Sequence, residues 1–177
     1  MASQRFQDML GRNEKFVETY TMPPTLQQIK DNAPPGRGTM AIISCSDPRV
    51  CPEEFLGIKR GEALVIRNAG GRAVEAIRSL EVMGTIGAIQ LIVVIHHTDC
   101  GGLFTCDDEV RRKLGERAPE HKHLIENKNF GTFQEIGIRQ SILDDVEVIK
   151  NWKFLPEYTE VKGFAYTIED GKLTELV

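Results

Sequence analysis

Five side chains in two short stretches could do chemistry together. Cys45-Ser46-Asp47-Pro48-Arg49 offers a soft metal ligand or nucleophile, a carboxylate and a guanidinium within five residues. His97-Thr98-Asp99-Cys100 offers an imidazole and a second thiol on one turn of backbone. Two thiolates and one imidazole form a donor set of catalytic zinc sites, which keep a fourth position for water or substrate. Zinc is borderline-soft and suits that mixture. Cys45, His97 and Cys100 are therefore candidate metal ligands, and Asp47 and Arg49 a candidate catalytic pair. A carboxylate beside a metal can bind it or act on its bound water, and Arg49 is near enough in sequence to hold Asp47 as an ionised acceptor.

Each residue also has a plainer reading. A buried cysteine is often only a small apolar side chain, and Asp-x-Arg is often a surface pair of little energetic weight. A thiol enzyme built on Cys45 needs no metal at all. A structural site drawn from Cys45, Cys51, Cys100 and Cys106 is a further alternative, but its two five-residue gaps fit poorly with the usual two to four residues between paired ligands.

The elements that must position these groups favour the metal. Thr39-Met40-Ala41-Ile42-Ile43-Ser44 is a short apolar run that opens after the turn-like Pro34-Pro35-Gly36-Arg37-Gly38, and it reads as a buried strand with Cys45 at its exit. Ala63-Leu64-Val65-Ile66-Arg67 reads as a second strand, and Asn68-Ala69-Gly70-Gly71 turns the chain where backbone must approach something closely. Val74, Ile77, Leu80 and Met83 recur at helical spacing up to Gly84. Ile89-Gln90-Leu91-Ile92-Val93-Val94-Ile95 is nearly all apolar, as a strand covered on both faces should be, and His97 and Cys100 follow it. Because His96 alternates with His97 along extended backbone, it is expected to point away from the metal.

Pro52 to Gly57 and Asp107 to Gly115 predict short helices, and Phe133 to Lys150 a long one. Val161 to Ile168 and Leu173 to Val177 flank Asp170-Gly171, a hairpin signal. Ser3 to Tyr20 reads as an amphipathic helix cut off by Pro23-Pro24, packed on its own domain or reaching a second subunit. Alternating strands and helices predict an α/β fold with a mainly parallel central sheet flanked by helices. One domain is expected over 1–177, with 1–35 as an N-terminal helical arm and 36–177 as the core.

Composition bounds the partners. The 177 residues are 41% hydrophobic and 27% charged, with a net charge of −4. That balance is ordinary for a globular protein and argues against nucleic acid as the main partner. No apolar run approaches the ~18–20 residues of a membrane span. The first twenty residues carry charges that break any signal-peptide core, so a cytoplasmic location is expected, with Cys51 and Cys106 as ordinary thiols.

Cys45-x-Asp47-x-Arg49 followed by His97-x-x-Cys100-Gly101 resembles the signature of the β-class carbonic anhydrases, and Arg67-Asn68-Ala69-Gly70-Gly71 also looks like that family. The resemblance runs from about Thr39 to the C-terminal hairpin. It implies a parallel core with an extra strand, a helical arm that wraps a partner, and a homodimer or dimer of dimers. It further implies Zn2+ on Cys45, His97 and Cys100, with Asp47 and Arg49 as the catalytic dyad. The reaction it implies is reversible hydration of carbon dioxide to bicarbonate by zinc-bound hydroxide. Two thiolates already neutralise the dication, so such a site is expected to acidify water less than an all-histidine one and to work best at alkaline pH. His96 stands where many members have Gly, and Pro48 where many have Ser. The His-His-Thr-Asp-Cys-Gly version resembles a compact branch that includes carbonyl sulfide and carbon disulfide hydrolases. Those hydrolases are the alternative activity, and a non-catalytic zinc protein is a further one.

Overall fold

Where apolar residues run uninterrupted the chain is extended, and where they recur every three or four positions it is helical. The computed structural model describes every residue except Met1, Ala33, Pro35 and Arg37, and every other side chain but that of Ala2. The chain falls into two compact units, Met1–Gly36 and Arg37–Val177.

The first unit holds helix α1 (Ala2–Glu18) and helix α2 (Leu26–Asn32). Phe6, Met9, Leu10, Phe16 and Val17 recur along α1 as expected, and all five stay exposed. Helix α2 is an addition to the expected elements. Thr25 and Gln28 cap it reciprocally: the Gln28 amide donates to Thr25 Oγ1 at 3.2 Å, and the Thr25 amide to Gln28 Oε1 at 2.8 Å. The turn expected over Pro34–Gly38 lies partly outside the described residues, at Pro35 and Arg37.

The second unit runs β1 (Thr39–Cys45), α3 (Pro52–Phe55), β2 (Ala63–Asn68), α4 (Ala73–Ile86), β3 (Ile89–His97), α5 (Asp107–Arg117), α6 (Gly137–Lys150), β4 (Glu160–Thr167) and β5 (Lys172–Glu175). The sheet order is β2-β1-β3-β4-β5. Neighbours are parallel except β4 and β5, which pair antiparallel through the expected hairpin. Helices α4 and α6 cover one face, where Leu80, Ile142 and Ile149 pack on Ala41, Ile43, Ile92 and Val94. Each of the leucine, isoleucine and valine side chains contributes about 1.5–3 kcal/mol by leaving water. The other face carries Ile42, Ile95 and Tyr166, with Phe55 stacked on Tyr166 at 4.2 Å between centroids. It keeps an apolar cavity of about 300 Å³ lined by Met40, Ile42, Leu91, Val93 and Phe164 among others.

Most boundaries fall within two residues of expectation, and the two larger departures are in helices. Helix α4 runs through Gly84 to Ile86 and closes where the Gly87 amide donates to the Met83 carbonyl at 3.1 Å. A single glycine costs only about 1 kcal/mol of helix propensity, too little to end the helix by itself. Helix α6 begins at Gly137, because Phe133 is fully buried elsewhere, beside two cysteines. Among the described residues no helix is long and apolar enough to cross a membrane.

The strand order decides where a site can form. From β1 the chain passes to β2 on one side, then crosses to β3 on the other. Ligands of open α/β sheets bind at such a reversal, outside the carboxyl ends of the strands. Cys45 ends β1 and His97 ends β3, so the reversal carries both.

Candidate metal centre

The expected metal ligands converge at these strand ends. One ligand atom each from Cys45, His97 and Cys100 lies within 4.8 Å of the others, and all three residues are buried. Among the described residues no other cluster of this kind forms. Cys51 instead turns its thiol to Glu53 Oε2 at 3.5 Å, so the four-cysteine alternative does not assemble.

The cluster fits a metal ion on its own chemistry. The two sulfurs stand 3.8 Å apart, which matches the ~3.8 Å edge of a tetrahedron with Zn–S bonds of ~2.3 Å. His97 Nδ1 lies 2.8 Å from the Thr98 carbonyl and must donate to it. That bond leaves the lone pair on Nε2, which is buried with no hydrogen-bond partner. A fixed tautomer with an unpaired inner nitrogen is the arrangement of a metal-binding histidine. The Asp47 amide donates to Cys45 Sγ at 3.4 Å, as suits a thiolate.

The hydrogen bond shared with Cys100 holds the Cys45 thiol well below its ordinary range against the cost of burial, with help from His97. Cys100 is pushed far above the usual thiol range, first by this bond to Cys45 and then by burial. Burial pulls His97 down, but the neighbouring Cys45 outweighs it, so His97 is raised overall.

Asp47 and Arg49 form the second half of the site. Arg49 Nε donates to Asp47 Oδ1 at 3.0 Å, Nη2 to Oδ2 at 2.7 Å, and the Arg49 amide to Oδ1 at 2.9 Å. These bonds, the side-chain ones first, hold the Asp47 carboxyl well below the usual carboxylate range. Arg49 is 50% exposed and Asp47 14%, so the pair adds little stability. Its effect is to orient the carboxylate.

Further neighbours complete the site, and the roles of Arg67, Asp99, Phe133, Leu103 and Asp145 were not read from the sequence. Arg67 donates to the Cys45 carbonyl at 3.0 Å and to the Asp47 carbonyl at 2.7 Å, bracing the loop that carries both. Asp99 accepts from Arg49 Nη1 at 2.6 Å, and its carbonyl accepts from Nη2 at 2.9 Å. Phe133 and Leu103 wall the cysteines with apolar surface. His96 turns away from the trio as expected: its Nε2 donates to the Gly71 carbonyl at 3.2 Å, and its Nδ1 lies 2.8 Å from Ser141 Oγ. Its ring stacks on Phe133 at 5.4 Å. Asp145, 1% exposed, lies 3.0 Å from His96 Nε2 and 3.1 Å from Arg72 Nε. Gly71 closes the arrangement. Its φ is +71°, and a Cβ there would stand 3.0 Å from the Cys45 amide nitrogen and 3.1 Å from the Ile95 carbonyl oxygen.

The chain is similar to several known proteins. The carbonic anhydrase family model matches residues 40–173. β-Carbonic anhydrase 1 of Mycobacterium tuberculosis is 34% identical over 170 residues, 96% of both chains. A carbon disulfide hydrolase of Saccharolobus solfataricus is 30% identical over 151 residues, 75% of this chain and 74% of that one. A solved carbonic anhydrase structure from Glaciozyma antarctica superposes with a TM-score of 0.79 at 32% identity, covering 94% of this chain and 95% of that one. The chain belongs to the β-carbonic anhydrase family.

Proposed function

We propose that this protein is a zinc-dependent carbonic anhydrase that interconverts carbon dioxide and bicarbonate. The observation that carries the reading is the buried Cys45–His97–Cys100 trio beside a carboxylate that Arg49 holds ionised. Cys45 and Cys100 would bind through sulfur and His97 through Nε2. Zinc, when bound, would supply a Lewis acid and would acidify water toward a hydroxide nucleophile, at a higher pH than an all-histidine site needs.

The chain's own groups do the rest. Three donors from Arg49 occupy Asp47 Oδ1 and Oδ2 on one side. A carboxylate has about four lone-pair positions, so Asp47 keeps capacity to accept a hydrogen bond from the attacking oxygen and to aim it. Its lowered pKa keeps it ionised, and so an acceptor, throughout the working range. Phe133 and Leu103 exclude water from the back of the cysteines and suit a small apolar substrate.

Carbonyl sulfide or carbon disulfide hydrolysis is the second reading, favoured by the 30% identity to a carbon disulfide hydrolase. The same groups would act on another linear triatomic molecule. The three gases, assayed in parallel on one zinc-loaded sample, separate the two. Fast hydration with negligible sulfide release supports the first reading, and the reverse pattern replaces it with the second.

We also propose a single domain whose residues 1–35 form an arm laid on a second copy, giving a homodimer or a dimer of dimers. The exposed apolar face of α1 and the apolar cavity on the sheet face away from α4 and α6 support this, since both leave apolar surface for a partner to cover.

A further inference from the structure

A guanidinium has two usable edges, and only one of those on Arg49 faces Asp47. The Nε and Nη2 edge takes both Asp47 oxygens. The Nη1 and Nη2 end is occupied by Asp99, through Oδ2 at 2.6 Å and through the backbone carbonyl at 2.9 Å. Four of the five N–H donors of Arg49 are thus committed, two to each aspartate.

We propose that Asp99 is a positioning residue for the Asp47–Arg49 pair. It fixes the far end of the guanidinium so that the near edge holds Asp47 in one orientation. The inference rests on the reading of Asp47 as the group that aims the attacking oxygen, and it adds a residue to that machinery.

Three observations carry it. Arg49 is half-exposed, and an exposed arginine–carboxylate pair on its own is loosely held by a flexible side chain. A second carboxylate gripping the same planar fork removes that freedom. Next, Asp99 adopts φ +52°, the only positive φ at a non-glycine among the described residues. Asp and Asn tolerate this conformation better than other side chains, and such backbone clusters at functional sites. Here it turns the carbonyl and the carboxylate of one residue toward the same guanidinium. Finally, Asp99 lies between His97 and Cys100, so the turn that carries two metal-ligand candidates also aims the dyad. A contact spanning 50 residues therefore ties the two halves of the site together. Asp99 is 47% exposed, so its ion pair contributes little to folding, and variants at this position are expected to fold.

The test uses Asp99→Gly and Asp99→Asn on the metal-loaded protein. Glycine removes the carboxylate at no backbone cost, and asparagine tolerates the φ while keeping one acceptor oxygen. Metal content, steady-state hydration and side-chain ¹⁵N spectra of Arg49 are measured together. The expected result is a fall in kcat of about tenfold in Asp99→Gly with KM and metal content unchanged, and substantial recovery in Asp99→Asn. The Nη signals of Arg49, resolved in the parent, are expected to merge in Asp99→Gly as the guanidinium rotates freely. Parental kcat and unchanged Nη signals in Asp99→Gly would overturn the proposal. So would loss of metal with normal turnover per metal retained, which would make Asp99 a support of the metal turn alone. If the parent hydrates no carbon dioxide, or Asp47→Asn hydrates it fully, the reading of the site has failed instead, and the Arg49 spectra still decide whether Asp99 holds the guanidinium.

Discussion

Asp47 takes three hydrogen bonds from Arg49, and each needs an acceptor. Asp47→Asn turns one of those acceptors into a donor that faces the guanidinium, so it breaks the orientation and removes the charge with almost no change in volume. The predicted loss in kcat is about 10²-fold or more, with metal content unchanged. Hydration within a factor of two of the parent would contradict the role given to Asp47. At this scale, residue type and spacing made much of the site legible. Thiols and an imidazole at the exits of two apolar runs are rare enough to notice, and the structure gathers Cys45, His97 and Cys100 and pairs Asp47 with Arg49. Asp99 was not legible, because its significance lies in a guanidinium 50 residues away, and an aspartate between two ligand candidates looks like any polar turn residue. Arg67 opens the Arg67–Gly71 stretch that resembles the family, but only the strand register puts its side chain under the carbonyls of Cys45 and Asp47.

The turn after β2 and the loop before α6 decide whether the strand ends stay aligned. Gly71 sits where any Cβ would press on the backbone of β1 and β3, neither of which can retreat without breaking the sheet. Gly71→Ala is predicted to cost about 3 kcal/mol or more, from the left-handed backbone and the overpacking together. A denaturant midpoint equal to the parent's would refute that. Asp107 plays a comparable part at the start of α5, accepting from the Phe130 amide at 2.8 Å, the Thr132 amide at 3.2 Å and the Thr132 hydroxyl at 2.6 Å. Asp107→Ala leaves those donors without that acceptor, for an expected cost of about 1–3 kcal/mol. Burial raises the Asp107 carboxyl, but these bonds outweigh it and leave it below its ordinary value of 3.8. The folded state therefore binds fewer protons than the unfolded one, so the contribution is complete above the ordinary value and is lost as pH falls below it. Parent and variant stabilities should converge in acid, and a gap that persists unchanged to the acid limit would show that the charge is irrelevant. The strands were readable because buried parallel strands are continuous apolar runs. Helix α2 was not, since Leu26–Asn32 is short and mostly polar, although Thr25-x-x-Gln28 is a capping signal that could have marked it.

The order of strands in the sheet is a property of the whole molecule. Alternation of strands and helices predicts a parallel sheet, but placing β1 between β2 and β3 depends on crossovers that no local pattern encodes. The proposed assembly belongs to the same scale. Phe6 and Leu10 are one helical turn apart and exposed on α1, so replacing both with Glu should prevent an apolar arm from seating on a second copy. Sedimentation is expected to shift from a two-chain or larger species to single chains, and an unchanged mass would rule the arm out as the basis of association. Both proposed activities depend on one property, that the strand ends hold a metal through two sulfurs and one nitrogen. X-ray absorption at the zinc edge, on protein purified without chelators, tests it most directly. The account predicts one zinc per chain with two sulfur ligands and one imidazole nitrogen, lost in Cys45→Ser. Protein without stoichiometric metal, or with a metal bound by oxygen and nitrogen alone, would contradict it.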